Sequence, residues 1–160
     1  MKWLKNNTKI HFILLGLGII LFFLVRRDYA EWTVRCILVS LILIVAGIYD
    51  WNTCEIPDYL HVLLLLVGLI NIQFIPALLG FLLVPLPFLA AAIVTGGKIG
   101  GGDIKLMAAM GFCIGVTGGI LMMVSGLLLA IGWSKVFGNG RKSLPLAPFL
   151  AAGGIMILLL

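Results

Sequence analysis

Long apolar runs, separated by short polar or glycine-rich segments, dominate the 160-residue chain. They do not show the alternation of apolar and polar positions expected of the strands of a membrane barrel, so helices are favoured. A helix that crosses a bilayer needs about 20 mostly apolar residues, and shorter ones are tolerated inside a bundle. We predict seven helices: Ile10–Val25, Trp32–Tyr49, Tyr59–Ile72, Ile75–Val94, Ile104–Val116, Gly119–Val136 and Leu144–Leu160.

Composition supports a membrane protein. Hydrophobic residues make up 62% of the chain and charged residues 11%, with a mean hydropathy of +1.24, which lies outside the range of soluble globular domains. The expected fold class is all-α: a polytopic integral membrane helical bundle with about six to seven transmembrane helices. No hydrophilic stretch is long enough for a separate soluble domain, so we expect residues 1–160 to form a single transmembrane domain.

The first apolar run follows three lysines, Lys2, Lys5 and Lys9, as the apolar part of a signal peptide would. The segment Tyr29-Ala30-Glu31 is nevertheless a poor cleavage site, because such sites need small residues. We therefore expect an uncleaved first helix.

The net charge of +5 fits membrane orientation better than nucleic-acid binding, so we expect a lipid bilayer and no nucleic acid as partner. With a cytoplasmic amino terminus, three basic residues lie outside: Arg26, Arg27 and Arg35. Eight lie inside: Lys2, Lys5, Lys9, Lys98, Lys105, Lys135, Arg141 and Lys142. We predict a multi-pass protein of the cell membrane in this orientation, with the segments around Asp50 and Asp103 both on the cytoplasmic side.

The three cysteines, Cys36, Cys54 and Cys113, form no CxxC pair and lie in or near apolar runs. We interpret them as small packing residues rather than as a zinc site or a disulfide framework. No metal and no cofactor are expected.

Acidic residues are rare, and an ionisable group in or near the membrane is a functional candidate. Asp50 closes the second predicted helix, where a negative charge opposes the helix dipole. Asp103 could cap the helix that it begins, but a capping acid does not require the preceding run Gly100–Gly102. Three glycines suggest a tight bend or the close approach of another backbone.

Neighbouring polar residues have simpler explanations. Asp58 follows Pro57 and could cap the third helix, whereas Glu55 lies in a short loop and is expected to be solvated. Lys105 could extend to the lipid headgroups or tune Asp103, two residues away. We interpret His61, like His11, as an interfacial or packing residue.

Two carboxylates within hydrogen-bonding distance share a proton, and the pair can then catalyse peptide hydrolysis as general base and general acid. The glycines beside Asp103 would leave room for an extended peptide. Two other classes use the same residues: a small proton-coupled transporter, and a structural subunit whose glycines pack helices. Both acids are predicted at one membrane face rather than at the midplane, which argues against a transporter.

Three segments resemble the type IV prepilin peptidases, a family of GxGD intramembrane aspartyl proteases. Gly100-Gly101-Gly102-Asp103 with Ile104-Lys105-Leu106 resembles the GxGDxKL motif, and Asp50 followed by Ile56-Pro57-Asp58 resembles the first aspartate motif. The stretch Leu144–Gly154 is similar to the family's Pro-x-x-Pro-Phe-Leu segment. The resemblance covers about residues 33 to 160.

The resemblance implies that Asp50 and Asp103 are a catalytic pair that cuts leader peptides at the cytoplasmic face. Substrates would be prepilin-like or preflagellin-like membrane proteins with a short basic leader, whose lysines or arginines Glu55 and Asp58 would attract. Larger members carry an insert with paired CxxC motifs that is associated with N-methylation. Because the turn Arg26–Glu31 is too short for that insert, we predict cleavage without methylation, as in the short members that serve Tad-type pili or archaeal flagellins. The oligomeric state stays open.

Overall fold

The computed structural model describes residues 30–97, 99–137 and 144–160. Every regular element within these residues is an α-helix, which confirms the predicted fold class for this part of the chain. The first predicted helix, Ile10–Val25, lies outside the described residues. The six described helices are α1 (Ala30–Thr53), α2 (Asp58–Gly68), α3 (Phe74–Leu83), α4 (Leu86–Val94), α5 (Gly101–Phe137) and α6 (Ala147–Leu159).

Three stretches of the described residues are long and apolar enough to cross a membrane: Thr33–Thr53, Phe74–Val94 and Gly101–Val136. The second of them consists of α3 and α4, although we predicted a single helix there. Pro85 and Pro87 lack the N–H groups that would continue the helical hydrogen bonds, so the helix is interrupted between Leu83 and Leu86. The third predicted helix ends early, at Gly68, and Asn71 then turns the chain with a φ of 52°.

Helix α5 reverses direction at Gly115, where φ is 72° and ψ is −176°. Trp133, near the end of α5, packs edge-on against Trp51 with ring centroids 6.1 Å apart. Trp51 adjoins Asp50, which lines one cavity together with Asp103 from the beginning of α5. Both ends of α5 therefore lie at the same end of the bundle, and residues 101–114 and 116–137 form a hairpin.

The hairpin agrees with the prediction of two separate helices in this region. A straight helix of 37 residues would be about 55 Å long, far more than the roughly 30 Å hydrocarbon core of a bilayer. The turn occurs at Gly115 rather than at residues 117–118. A glycine adopts the positive φ of this turn without the steric penalty of a side chain.

Small residues bring the helices together. Helix α6 packs between α1 and the second half of α5, where a Cβ on Gly153 would lie 2.6 Å from the Ser125 hydroxyl oxygen. Helix α3 packs so closely on α5 that a Cβ on Gly80 would overlap the carbonyl oxygen of Gly111. Such contacts are typical of helices that pack within a membrane. The largest fully buried side chains are Leu43, Leu64, Leu106, Met107, Met110, Met122 and Leu150.

Arg35 lies at the other end of α1 from Asp50, about 22 Å away along the helix axis. Its side chain is buried, and the guanidinium donates a hydrogen bond to the backbone carbonyl of Cys113. The break at Gly115 ends the first helical segment of α5, and a cation beside the last carbonyls of a helix is favourable. Arg35 thus stabilises the turn of the hairpin.

Candidate functional site

Asp50 continues the buried face of α1 into its last turn. Val39, Leu43, Ala46 and Asp50 are all buried, and they follow each other at the spacing of one helix face. Immediately after the helix, Cys54 adopts a φ of 54°, and its N–H donates to the Asp50 carbonyl oxygen over 2.8 Å. The carboxyl group therefore points into the bundle, and Asp50 is only 6% exposed.

A backbone amide holds the Asp50 carboxylate in place. The N–H of Ala147 donates to Asp50 Oδ2 over 2.9 Å, and both residues are buried. Ala147 is the first residue of α6, so its N–H has no partner within that helix. A negative charge is stabilised at this position by the hydrogen bond and by the positive end of the helix dipole. Helix α6 thereby orients Asp50 and favours its ionised form.

Asp103 lies in the first turn of α5 in a different environment. Among the described residues, its buried Oδ1 has no hydrogen-bond partner, so the interpretation of Asp103 as a helix cap is wrong for that oxygen. The second oxygen borders the space above Gly100, where an added Cβ would lie 3.4 Å away. Nothing in the described structure fixes this carboxyl group as Ala147 fixes Asp50.

The two aspartates face a common cavity of about 330 Å³ at one end of the bundle. They are close enough to interact electrostatically. Every site residue predicted from the sequence except Pro57 lines this cavity, which also receives two residues that were not predicted. The lining residues are Asp50, Cys54, Glu55, Ile56, Asp58, Gly100, Gly101, Gly102, Asp103 and Lys105. Tertiary packing therefore brings together two motifs that are far apart along the chain.

The position of the tight bend before Asp103 differs from the predicted one, Gly100–Gly102. The tight bend lies earlier, at Gly96 and Gly97, whose φ angles are 67° and 81°. A Cβ on Gly101 would meet nothing within 4 Å among the described residues, whereas one on Gly102 would lie 3.3 Å from the Ile56 Cβ. Gly101 thus leaves open space at the cavity, and Gly102 allows close packing on Ile56.

Asp58 and Lys105 form an ion pair at the cavity edge. Lys105 Nζ donates to Asp58 Oδ1 over 2.7 Å, and this contact lowers the pKa of Asp58. Pro57 occupies the cap position of α2, and no side chain in the described structure caps that helix, so the capping interpretation of Asp58 is wrong. Lys105 contacts Asp58, whereas the sequence suggested lipid headgroups or Asp103. Glu55 is exposed, as predicted.

Cys54 is exposed and lines the cavity, so its interpretation as a packing residue is wrong. Cys36 and Cys113 are buried, in agreement with that interpretation. No group of three or more His, Cys, Asp or Glu side chains within the described ranges could hold a metal ion. The expected absence of a metal stays a prediction.

Two further residues that contribute to the site were not predicted from the sequence. His61, interpreted as an interfacial or packing residue, is buried, but its Nε2 also lies 3.1 Å from the carbonyl oxygen of Gly102. Ala147 acts through its backbone, which its residue type does not reveal. The only signal was its position within the Leu144–Gly154 segment, which resembles a motif of the family.

Fold and site together define a class: a polytopic helical membrane protein in which two carboxyl groups from different helices face one cavity. Residues 37–135, more than half of the chain, match the type IV leader peptidase family, and the chain belongs to that family. It is similar to the prepilin leader peptidase/N-methyltransferase of Bacillus subtilis (strain 168), with 37% identity over 79 residues. That alignment covers 43% of this chain and 30% of the relative. No solved structure matches the chain.

Proposed function

We propose that this protein is a membrane-embedded aspartyl endopeptidase that removes the short basic leader from type IV prepilin-like, preflagellin or Tad-type precursors. Family membership supports the reaction class. The observation that carries the proposal is the shared cavity: Asp50 at the end of α1 and Asp103 at the beginning of α5 both line it. Family membership also favours a peptidase over a proton-coupled transporter that uses the same two acids.

The different environments of the two aspartates suggest different roles. The carboxylate of Asp50 accepts the Ala147 N–H at a helix amino terminus, an arrangement that favours the anion. Asp103 has a buried oxygen without a partner among the described residues, which disfavours a second negative charge beside the first. Asp50 is therefore the general base, and Asp103 begins the reaction protonated, as the general acid.

In the first step, a water molecule bound between the carboxyl groups attacks the scissile carbonyl carbon. Asp50 takes a proton from this water, and Asp103 gives its proton to the carbonyl oxygen, so that an uncharged tetrahedral diol forms. In the second step, Asp50 returns its proton to the amide nitrogen and the C–N bond breaks. Asp103 regains a proton from the diol, and the pair is restored without net consumption of protons.

The cavity also offers a place for the substrate backbone. A substrate helix must unwind before its amide can be attacked, and Gly101 leaves open space in the cavity that Asp103 also lines. The basic leader would be attracted by Glu55, which is exposed on the same cavity. Asp58 contributes less than the sequence suggested, because Lys105 already neutralises it.

We also propose that cleavage occurs without N-methylation. The positions of the cysteines support this, since Cys36 and Cys113 are buried within helices and Cys54 lies at the cavity. Transfer of a labelled methyl group from S-adenosylmethionine to processed pilin would contradict this proposal. Unlabelled, processed pilin is the expected result.

We propose that the cavity opens to the cytoplasmic side of the cell membrane. Cys54 provides a native probe, because it is the one exposed cysteine of the three. A membrane-impermeant maleimide should label Cys54 in inside-out vesicles but not in intact cells, and Cys54→Ser should abolish the signal. Labelling of Cys54 in intact cells would place the cavity on the opposite side.

The decisive experiment is co-expression of a tagged prepilin with the wild type, Asp50→Asn or Asp103→Asn. Gel mobility and amino-terminal sequencing of the pilin report cleavage and its position. Glu31→Gln serves as the control, because it removes an acidic side chain from the end of α1 away from Asp50. We expect complete loss of processing in both aspartate variants and normal processing with the control.

Each alternative outcome has a clear meaning when the amount and fold of every variant in the membrane are verified. Cleavage that survives either aspartate substitution would contradict the proposed mechanism. A wild type that fails to cleave any of several pilin-like substrates would contradict the peptidase proposal and restore the transporter interpretation, which proton-flux measurements in vesicles would then test.

A further inference from the structure

The position of Asp103 must be fixed by a contact other than one made by its own carboxyl group. Its buried Oδ1 has no partner among the described residues, in contrast to Asp50, whose Oδ2 accepts the Ala147 N–H. General acid catalysis depends on placement, and a shift of about 1 Å can reduce the rate about a hundredfold. The position of Asp103 must therefore be set by the backbone on which it is carried, the first turn of α5.

His61 binds that turn from a neighbouring helix. It lies on α2 and is only 5% exposed, and its Nε2 is 3.1 Å from the carbonyl oxygen of Gly102, the residue before Asp103. A carbonyl oxygen only accepts hydrogen bonds, so Nε2 carries the hydrogen and donates it. This part-buried contact links residues that are 41 positions apart, directly beside the proposed general acid.

The other contacts in this region complement His61 without replacing it. Ile56 packs against Gly102, but an apolar contact does not fix the orientation of a peptide group. The ion pair of Lys105 and Asp58 also joins α5 to α2, yet both side chains are largely exposed, 57% and 75%. Exposed ion pairs contribute little because water and salt screen them. Of these contacts between α2 and the first turn of α5, the hydrogen bond of His61 is thus the less exposed polar link.

We propose that His61 is a positioning residue, which holds the first turn of α5 through the Gly102 carbonyl and so sets the place of Asp103 in the cavity. The catalytic consequence rests on the proposed peptidase function. The structural part, the dependence of the surroundings of Asp103 on the His61 donor, does not. His61 has no direct contact with substrate in this proposal.

Three substitutions separate positioning from packing. His61→Gln keeps an N–H donor at about the reach of Nε2, His61→Leu keeps bulk without a donor, and Val62→Leu changes an exposed neighbour on α2 as the control. We expect kcat for leader cleavage to fall about ten- to a hundredfold in His61→Leu, with KM within about twofold of the wild type. His61→Gln should stay within about threefold of the wild-type kcat, and Val62→Leu should match the wild type.

A second measurement does not depend on cleavage. Dicyclohexylcarbodiimide reacts with protonated carboxyl groups in apolar surroundings, and trypsin releases Asp103 in the peptide 99–105, in which it is the only acid. Mass spectrometry of this peptide gives the rate of modification of Asp103 in the purified full-length protein. We expect at least about a threefold change of rate in His61→Leu, and the wild-type rate in His61→Gln and Val62→Leu.

The two measurements distinguish failure of the inference from failure of the proposed function. If His61→Leu is folded and has the wild-type kcat and modification rate, the positioning role is wrong. If His61→Gln is as impaired as His61→Leu, size or shape matters rather than the donor, and the proposal is likewise overturned. If the wild type cleaves no prepilin but the modification rates follow the expected order, the peptidase proposal fails and the structural role of His61 stands.

Discussion

The two aspartates that line the cavity lie in two regions of the bundle, and these regions differ in how they hold a carboxyl group. At the end of α1, Asp50 is 6% exposed and accepts a backbone hydrogen bond from the first residue of α6. At the beginning of α5, Asp103 lines the cavity, and its buried oxygen has no partner among the described residues. The carboxyl group of Asp50 is held directly by a hydrogen bond, whereas the position of the Asp103 carboxyl group depends on the backbone that carries it.

Because of this difference, two identical side chains lie in unlike environments. A carboxylate that accepts an N–H at a helix amino terminus is stabilised as an anion, whereas a buried oxygen without a donor favours the protonated form. The comparison predicts that substitutions at the two positions will have unequal consequences wherever geometry or stability is measured, even though both aspartates are required for the proposed reaction.

The largest difference is expected when each aspartate is lengthened by one methylene. Asp50→Glu must displace its carboxylate from the Ala147 N–H in a closed site, and we expect leader cleavage to fall by at least about a hundredfold. Asp103→Glu can extend into the cavity, and we expect it to keep about ten times more activity than Asp50→Glu. Initial rates with a tagged prepilin would measure both.

Expression and detergent-extracted fold of the two glutamate variants must match the wild type for this comparison. Equal residual activities in the two variants would show that the environments are not functionally different. Higher activity in Asp50→Glu than in Asp103→Glu would indicate that the carboxyl group of Asp103, rather than that of Asp50, is the one held in a fixed position.

Removal of each carboxyl group should affect stability unequally. Asp50→Ala leaves the buried N–H of Ala147 without its acceptor, so we expect the free energy of unfolding to fall by about 1–3 kcal/mol. Asp103→Ala removes an oxygen that has no partner in the described part of the chain, and we expect a change below about 1 kcal/mol. Denaturant unfolding in detergent micelles would give both values, and similar losses would contradict the contrast.

The smallest effect is expected at Asp58, an exposed acid that the same cavity provides as a reference. Lys105 lowers the pKa of Asp58 below its unfolded value of about 3.9. The pair therefore stabilises the folded protein at pH values above about 4, and this contribution is lost as the pH falls through the lower, folded-state pKa. The unfolding midpoint of the wild type should exceed that of Asp58→Asn slightly at pH 7, and the difference should shrink as the pH is lowered below about 4.

High salt at pH 7 should reduce the same small difference, because the pair is exposed and screened. A difference that does not shrink at low pH or in high salt would show that Asp58 stabilises the protein by a contact other than its ion pair with Lys105.

The sequence was most informative where chemistry depends on residue type. Apolar runs predicted an all-α membrane bundle, and rare acids beside glycines marked Asp50 and Asp103, which the structure places on one cavity. The sequence was least informative where backbone groups form the contacts. Residue type does not indicate that the N–H of Ala147 or the carbonyl of Gly102 forms a contact, so the partners of Asp50 and His61 were not predicted.

Local sequence also misjudged several turns. The break of α5 was expected at residues 117–118 and occurs at Gly115, and the bend before Asp103 was expected at Gly100–Gly102 and occurs at Gly96 and Gly97. Several glycines in each region can adopt the required conformation. Packing against neighbouring helices decides which of them does so, as at Gly102, which lies against Ile56.

By itself, the sequence determined that this chain is a membrane protein and singled out Asp50 and Asp103 as candidates, because hydropathy and the scarcity of charge are properties of residues. Tertiary structure alone decided that α6 supports Asp50 and that α2 reaches the turn of Asp103, because each of these contacts joins a side chain to a backbone group that is distant along the chain. The physical reason is that a hydrogen bond depends on where the fold places a donor and an acceptor, and residue type does not record that placement.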